Sequence, residues 1–148
     1  MVRLGSGPYN LERFIEAQAG TYDDALAEIT AGRKRSHWMW FIYPQLKGLG
    51  HSELANFYGI AGIEEARAYL AHPMLGVRLT EICHALLALP TDDTVAIFGH
   101  TDSMKLRSSM TLFAQAKQAN PVFQSVLNKF YNGEADAATL QLMDEVKR

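Results

Sequence analysis

The sequence predicts an all-α, single-domain protein, a multihelical bundle of about seven to nine longer and shorter helices. Three observations carry this fold class. Apolar residues recur with a period of about 3.6 along most of the chain. Asn, Asp, Ser or Pro precede the periodic runs and Gly or Pro follows them, where helix starts and stops are expected. Apart from the short run Trp38–Tyr43, no alternating segment argues for a strand, and Asn132-Gly133 follows a helical pattern and so reads as a C-cap, not a hairpin.

Each element follows in order. Residues 1–9 contain Gly5, Gly7 and Pro8 and read as a flexible N-terminal arm. Residues 10–148 read as one helical domain. Asn10 can cap a short helix with Leu11, Phe14, Ile15 and Gln18 on one side, stopped by Gly20. Thr21 opens a clearer helix with Tyr22, Ala25, Leu26 and Ile29 in phase, Asp23 and Asp24 in its first turn, and Gly32 past its end. Ser52 caps a short turn to Tyr58, and Ile63–Ala71 is helical. Pro73 suits the first turn of a helix reaching about Leu89, whose broad stripe of Leu75, Leu79, Ile82, Cys83, Leu86 and Leu87 marks it as central. Asp92 or Asp93 starts a short element ending at Gly99. Thr101 or Asp102 caps a helix to about Ala119, with Leu106, Met110, Phe113 and Ala114 inward. Asn120-Pro121 opens another, carrying Phe123, Val126, Leu127 and Phe130, and a last helix runs from Asp136 with Leu140 and Met143.

Composition bounds the function. The chain has 148 residues, 48% apolar and 20% charged, which is globular and not disordered. A chain of this length buries about two thirds of its unfolded surface and needs no disulfide or metal to fold. Its 14 basic and 16 acidic residues give a net charge of −2, which disfavours a nucleic-acid partner but leaves room for one local basic site. The single cysteine, Cys83, excludes an internal disulfide and a cysteine zinc knuckle and reads as core. No apolar run approaches the roughly 18 residues of a membrane span. The N-terminus lacks the apolar core of a signal peptide, so a cytoplasmic location is expected. The five histidines show no metal spacing. No metal and no cofactor are expected.

One stretch departs from an ordinary helix pattern. Residues 33–45, Arg-Lys-Arg-Ser-His-Trp-Met-Trp-Phe-Ile-Tyr-Pro-Gln, hold three cations, a histidine and both tryptophans of the protein. The plain alternative is that the aromatics are core and the Arg and Lys heads solvated; in a ligand site, Lys34 and Arg35 would hold phosphate, Trp38 and Trp40 would form an apolar wall, and His37 and Gln45 would supply polar contacts. Lys105 and Arg107, near the start of a helix where cations oppose the dipole, are candidates for the same phosphate; the plain alternative is an ion pair with Asp102. His37 is the candidate proton carrier. Glu28, one turn before Gly32, can orient His37, pair with Lys34 or act as a base. Ser108 and Ser109 read as small residues at a tight helix contact, and His72, before Pro73, as a turn residue. Two functions stay open. One is a pocket for a small phosphorylated, nucleotide-like ligand, with or without hydrolysis. The other is a non-enzymatic interaction module with the aromatic–basic segment as its contact face.

Three blocks carry a resemblance: Lys-Arg-Ser-His-Trp-Met-Trp-Phe-Ile-Tyr-Pro-Gln-Leu (34–46), Ala-Tyr-Leu-Ala-His-Pro-Met-Leu-Gly (68–76) and Lys-Leu-Arg-Ser-Ser-Met-Thr-Leu-Phe (105–113). In this order they resemble the signature of domain-of-unknown-function family 1810, over residues 10–142. The resemblance implies a mainly helical, single-domain, bacterial-type protein and no established activity. Members sometimes carry the label calpastatin, which does not suit a compact, aromatic-rich chain. Lys105–Leu127 is also similar to the NADAR families, helical proteins linked to NAD and ADP-ribose metabolism, although no matching catalytic block lies upstream.

Overall fold

Three helix-start residues sit where their chemistry requires, while Asn10, with φ of 50°, and Thr21 make no side-chain cap. Ser52 Oγ accepts the Ala55 N–H at 3.1 Å, Asp93 Oδ1 accepts that of Ala96 at 3.1 Å, and Asn120 Oδ1 accepts that of Val122 at 2.9 Å. Each removes an unpaired donor from a first turn. His72 is the turn residue expected, and its Nδ1 accepts from Met74 and Leu75 at 3.1 and 3.3 Å, which caps the next helix. Gly32 and Asn132, with φ of 85° and 56°, end their helices in the left-handed region.

The computed structural model describes residues 9–116 and 120–147, so the expected arm lies, Tyr9 apart, outside the described residues. The helices are α1 Glu12–Gln18, α2 Tyr22–Thr30, α3 Met39–Ile42, α4 Glu53–Phe57, α5 Ile63–Ala71, α6 Leu75–Leu87, α7 Thr94–Phe98, α8 His100–Ala114, α9 Val122–Tyr131 and α10 Ala137–Lys147. Among the described residues there is no strand, only an isolated parallel bridge between Leu46 and Ile60. The fold is all-α.

The tenth helix is α3, formed by the strand-like run. Ile42 and Tyr43 donate to Trp38 and Met39 at 3.2 and 3.1 Å, and these four residues are all buried. An i, i+1, i+4, i+5 pattern suits a single helical turn, and six residues are too few for the period to decide in sequence. The start of α8 also differs. Gly99, with φ of 84°, precedes His100, and Asp102 lies inside the first turn with its carboxylate turned elsewhere. Helix α8 ends at Ala114; the expected continuation to Ala119 reaches residues 117–119, outside the described residues.

The core is built on α6 and α8. Leu75, Leu79, Ile82, Cys83 and Leu86 form the inward stripe of α6. In α8 every residue from Ser108 to Phe113 is buried, because α5, α7, α9 and α10 surround it. Cys83 is fully buried beside Met110, Sγ to Sδ 3.6 Å, and burial pushes its thiol well above the ordinary range.

One buried charge organises the irregular stretch between α3 and α5. Arg13 of α1 pairs with Glu65 of α5 at 2.8 Å, the two side chains 8% and 3% exposed. The guanidinium also donates to the carbonyls of Tyr9, Asn10, Phe57 and Gly59 at 2.6–3.0 Å, and Glu65 accepts the Ala61 N–H at 2.8 Å. Every polar edge of both groups is used, the condition under which a buried pair is tolerated. Arg13→Met leaves Glu65 and four carbonyls short of donors. It should cost about 3–5 kcal/mol, read as a lower urea midpoint by far-UV circular dichroism. An effect under about 1 kcal/mol would show that the pair does not hold this region.

Candidate functional site

The 33–40 loop is fixed from beneath by one carboxylate. Arg33 N–H closes α2 on the Glu28 carbonyl at 3.0 Å, and Lys34 N–H donates to the Ile97 carbonyl of α7 at 2.8 Å. Glu28, in the last turn of α2, then turns its side chain along the loop. Its Oε1 accepts the backbone N–H groups of Arg35 and Ser36 at 2.6 and 2.9 Å and the Trp38 indole N–H at 3.0 Å; its Oε2 accepts the Ser36 hydroxyl at 2.6 Å. Partial burial pushes the carboxyl pKa up, but the donors from Ser36, Arg35 and Trp38 outweigh it and bring it from 4.5 down to about 2.

The two sequence clusters meet at Asp102. Lys34 Nζ lies 3.0 Å from Asp102 Oδ2, and Lys105 Nζ lies 3.4 Å from Oδ1. Each ammonium rests over one indole, Lys34 over Trp38 at 5.0 Å and Lys105 over Trp40 at 5.1 Å. Lys34 also donates to the Ser36 carbonyl at 2.5 Å, and its side chain is only 9% exposed. Around this core Arg33, Arg35 and His37 are exposed, while Lys105 and Trp40 are half-buried. The cations Arg33, Lys34, Arg35 and Lys105 outnumber the carboxylates Glu28 and Asp102 by two.

Other expected members stand elsewhere. Trp38 is fully buried against Tyr43 and Phe98, ring centroids 6.1 and 6.4 Å away, so it is core and not an exposed wall. Arg107 projects to the other side of α8, donating to the carbonyls of Glu134 and Ala135 at 2.9 and 3.2 Å, with the Glu134 carboxylate 3.4 Å away. Glu28 pairs with neither His37 nor Lys34; the loop backbone, Ser36 and Trp38 take its lone pairs. Gln45 and Trp40 line, with Leu46 and Tyr58, a cavity of only about 10 Å³. Ser36 joins the site without a sequence signal, since a lone serine among cations carries none until Glu28 stands beside it. Ser108 and Ser109 are buried, as small contact residues should be.

The Glu28 clamp sets a pH dependence. A carboxyl whose pKa is lower folded than unfolded contributes stability fully present above the unfolded value and lost as pH falls through the folded one. This contribution should therefore decay from about pH 4.5 to about pH 2. Glu28→Gln should flatten that part of the stability profile and cost about 1–3 kcal/mol near neutrality, both measured by urea unfolding across the range. Superimposable profiles for the two proteins would remove the clamp.

The comparisons agree on kinship. Among curated proteins none matches this chain. A solved structure described as the conserved hypothetical protein Rv1873 from Mycobacterium tuberculosis is 49% identical, with a TM-score of 0.90, and the match covers 93% of this chain and 98% of that one. The family model described as "Protein of unknown function (DUF1810)" matches residues 8–143. With nearly the whole chain inside that match, the protein belongs to the DUF1810 family.

Proposed function

We propose that the protein binds an anionic, phosphate-bearing small molecule where the 33–40 loop meets the first turns of α8. The observation that carries this reading is the Asp102 carboxylate shared by Lys34 and Lys105, which joins the two cationic motifs into one surface. The roles divide by exposure. Lys34 is held by Asp102, the Ser36 carbonyl and the Trp38 ring, and serves as framework. Arg35, His37 and Lys105 are the groups left to meet a phosphate, and Trp40 offers the neighbouring aromatic surface. Glu28 takes no part as a base: a carboxylate near pKa 2 that already accepts four hydrogen bonds is a weak proton acceptor. The reading is therefore one of binding, with His37 the remaining group for proton transfer.

A second reading, contact with an acidic face of a partner protein, is favoured by one observation. Small ligands are mostly enclosed in pockets of roughly 300–1,000 Å³, whereas the cavity at Trp40 and Gln45 holds about 10 Å³. A thermal-shift titration separates the two. Against ADP-ribose, NAD, nucleotides and sugar phosphates, a binder at a hundred times its Kd adds about 2.7 kcal/mol, a rise of roughly 5–10 °C for a chain of this size. Lys105→Ala and Arg35→Ala should abolish the rise and Arg107→Ala should leave it. A flat response throughout sinks the small-ligand reading. Binding of a poly-glutamate peptide that weakens as salt rises would then mark the protein-contact reading.

A further inference from the structure

The outward face of α6 borders a groove whose lining residues are separate from the cationic loop. Val77, Thr80, Glu81 and His84 fall at i, i+3, i+4 and i+7, opposite the core stripe of the same helix. They form one wall of a groove of about 700 Å³ between α5, α6 and the start of α9, with Leu70 and Phe123 along it and Arg67 at its rim. Val77 is 64% exposed there, an apolar side chain left open to the groove. A volume of this size with mostly apolar lining and a few polar groups is the ordinary form of a small-molecule site.

The charges in the groove choose the ligand. Arg67 is matched by its own helix neighbour, with Glu64 Oε1 2.7 Å away. Among the described residues Glu81 has no cation at ion-pair distance. Its Oε1 accepts the Tyr22 hydroxyl at 2.5 Å, and that phenol, raised well above its ordinary value by burial and by Glu81 itself, stays a neutral donor. Tyr22 thus orients the carboxylate without neutralising it. Arg78, the nearest cation along α6, is committed to Gln18 Oε1 at 3.2 Å and lies over the Tyr22 ring at 5.1 Å. An oriented carboxylate on an apolar wall, without a cation partner among the described residues, complements a positive group.

We infer that this groove binds a small organic cation, an ammonium or guanidinium group on Glu81 with its apolar body along Val77, Leu70 and Phe123. His84, one turn further on, adds a nitrogen acceptor when neutral. The charge selects against carboxylates and phosphates, so the ligand class is opposite to that of the cationic loop.

The test uses 2-phenylethylamine as probe, with 2-phenylethanol and 3-phenylpropionate as neutral and anionic analogues. Backbone amide shifts are followed by NMR on the full chain. Saturable shifts at Val77, Glu81 and His84 are expected with the amine, clearly weaker ones with the alcohol and none with the carboxylate. Glu81→Gln keeps an acceptor for Tyr22 and should weaken amine binding about tenfold, the loss of one charge-assisted contact. Val77→Lys, which places a competing cation in the groove, should abolish it. Equal binding of amine and alcohol, no effect of Glu81→Gln, or no saturable shift with the amine would each overturn the inference. Lys105→Ala should leave the amine titration unchanged, so failure of the phosphate-binding reading is scored separately.

Discussion

Short helices impose a constraint that longer ones avoid: a large share of their backbone groups lies in end turns, where about four N–H groups and four carbonyls per helix lack internal partners. In this protein charged side chains meet much of that need. Arg13 serves four carbonyls around α1 and α4. Lys129 reaches from α9 to the carbonyls of Leu87 and Leu89 at 2.9 and 2.5 Å, closing α6 at the end where its dipole favours a cation. Arg107 closes the turn before α10, and Glu28 holds the N–H groups after α2. The apolar core decides how the helices stack. These charges decide where the connecting backbone goes.

That division governs how the basic residues should be weighed. Lys34 and Arg107 are, in sequence, two of the four candidate phosphate ligands. Both are instead fixed to backbone oxygens and to a carboxylate. Withdrawing a cation from such a network would leave unpaired acceptors behind, at a cost close to what a new phosphate contact returns. Arg35, exposed on the same loop, has no such side-chain partner among the described residues. Because Glu28 has already ordered the backbone at Arg35 and Ser36, little further conformational freedom is lost when a ligand lands there.

How much was legible follows the range of each interaction. Capping by Ser52, Asp93 and Asn120 depends on neighbours two or three residues away, and the sequence displays it. So does the separation of Lys105 from Arg107. Residues two apart on a helix do not share a face, and grouping both on one phosphate, as their shared charge suggests, runs against that rule. Trp38 and Trp40 are likewise two apart, and one helical turn sends the first inward and leaves the second half-exposed. The links Arg13–Glu65 and Lys34–Asp102 join residues 52 and 68 positions apart, and no local pattern announces them. The groove on α6 is hidden for a related reason. Val77, Thr80, Glu81 and His84 read as an ordinary solvent face until α5 and α9 stand on either side.

Both proposed sites are positioned by α2. Tyr22 in its first turn orients Glu81 in the groove, and Glu28, six residues on, clamps the loop. At about 1.5 Å rise per residue the two anchors lie roughly 9 Å apart along one helix. Shared support would couple the sites only if α2 had two arrangements that the ligands distinguish. Its inward face speaks against that. Ala25 and Ile29 are fully buried, Tyr22 nearly so, and α2 packs along α6 at the centre of the fold. Sliding it would expose that face and break the Gly32 turn that starts the loop. A helix with one packed arrangement fixes geometry at both ends and offers no second state to carry a signal, so the opposite charge preferences proposed for the two sites are compatible with one small domain.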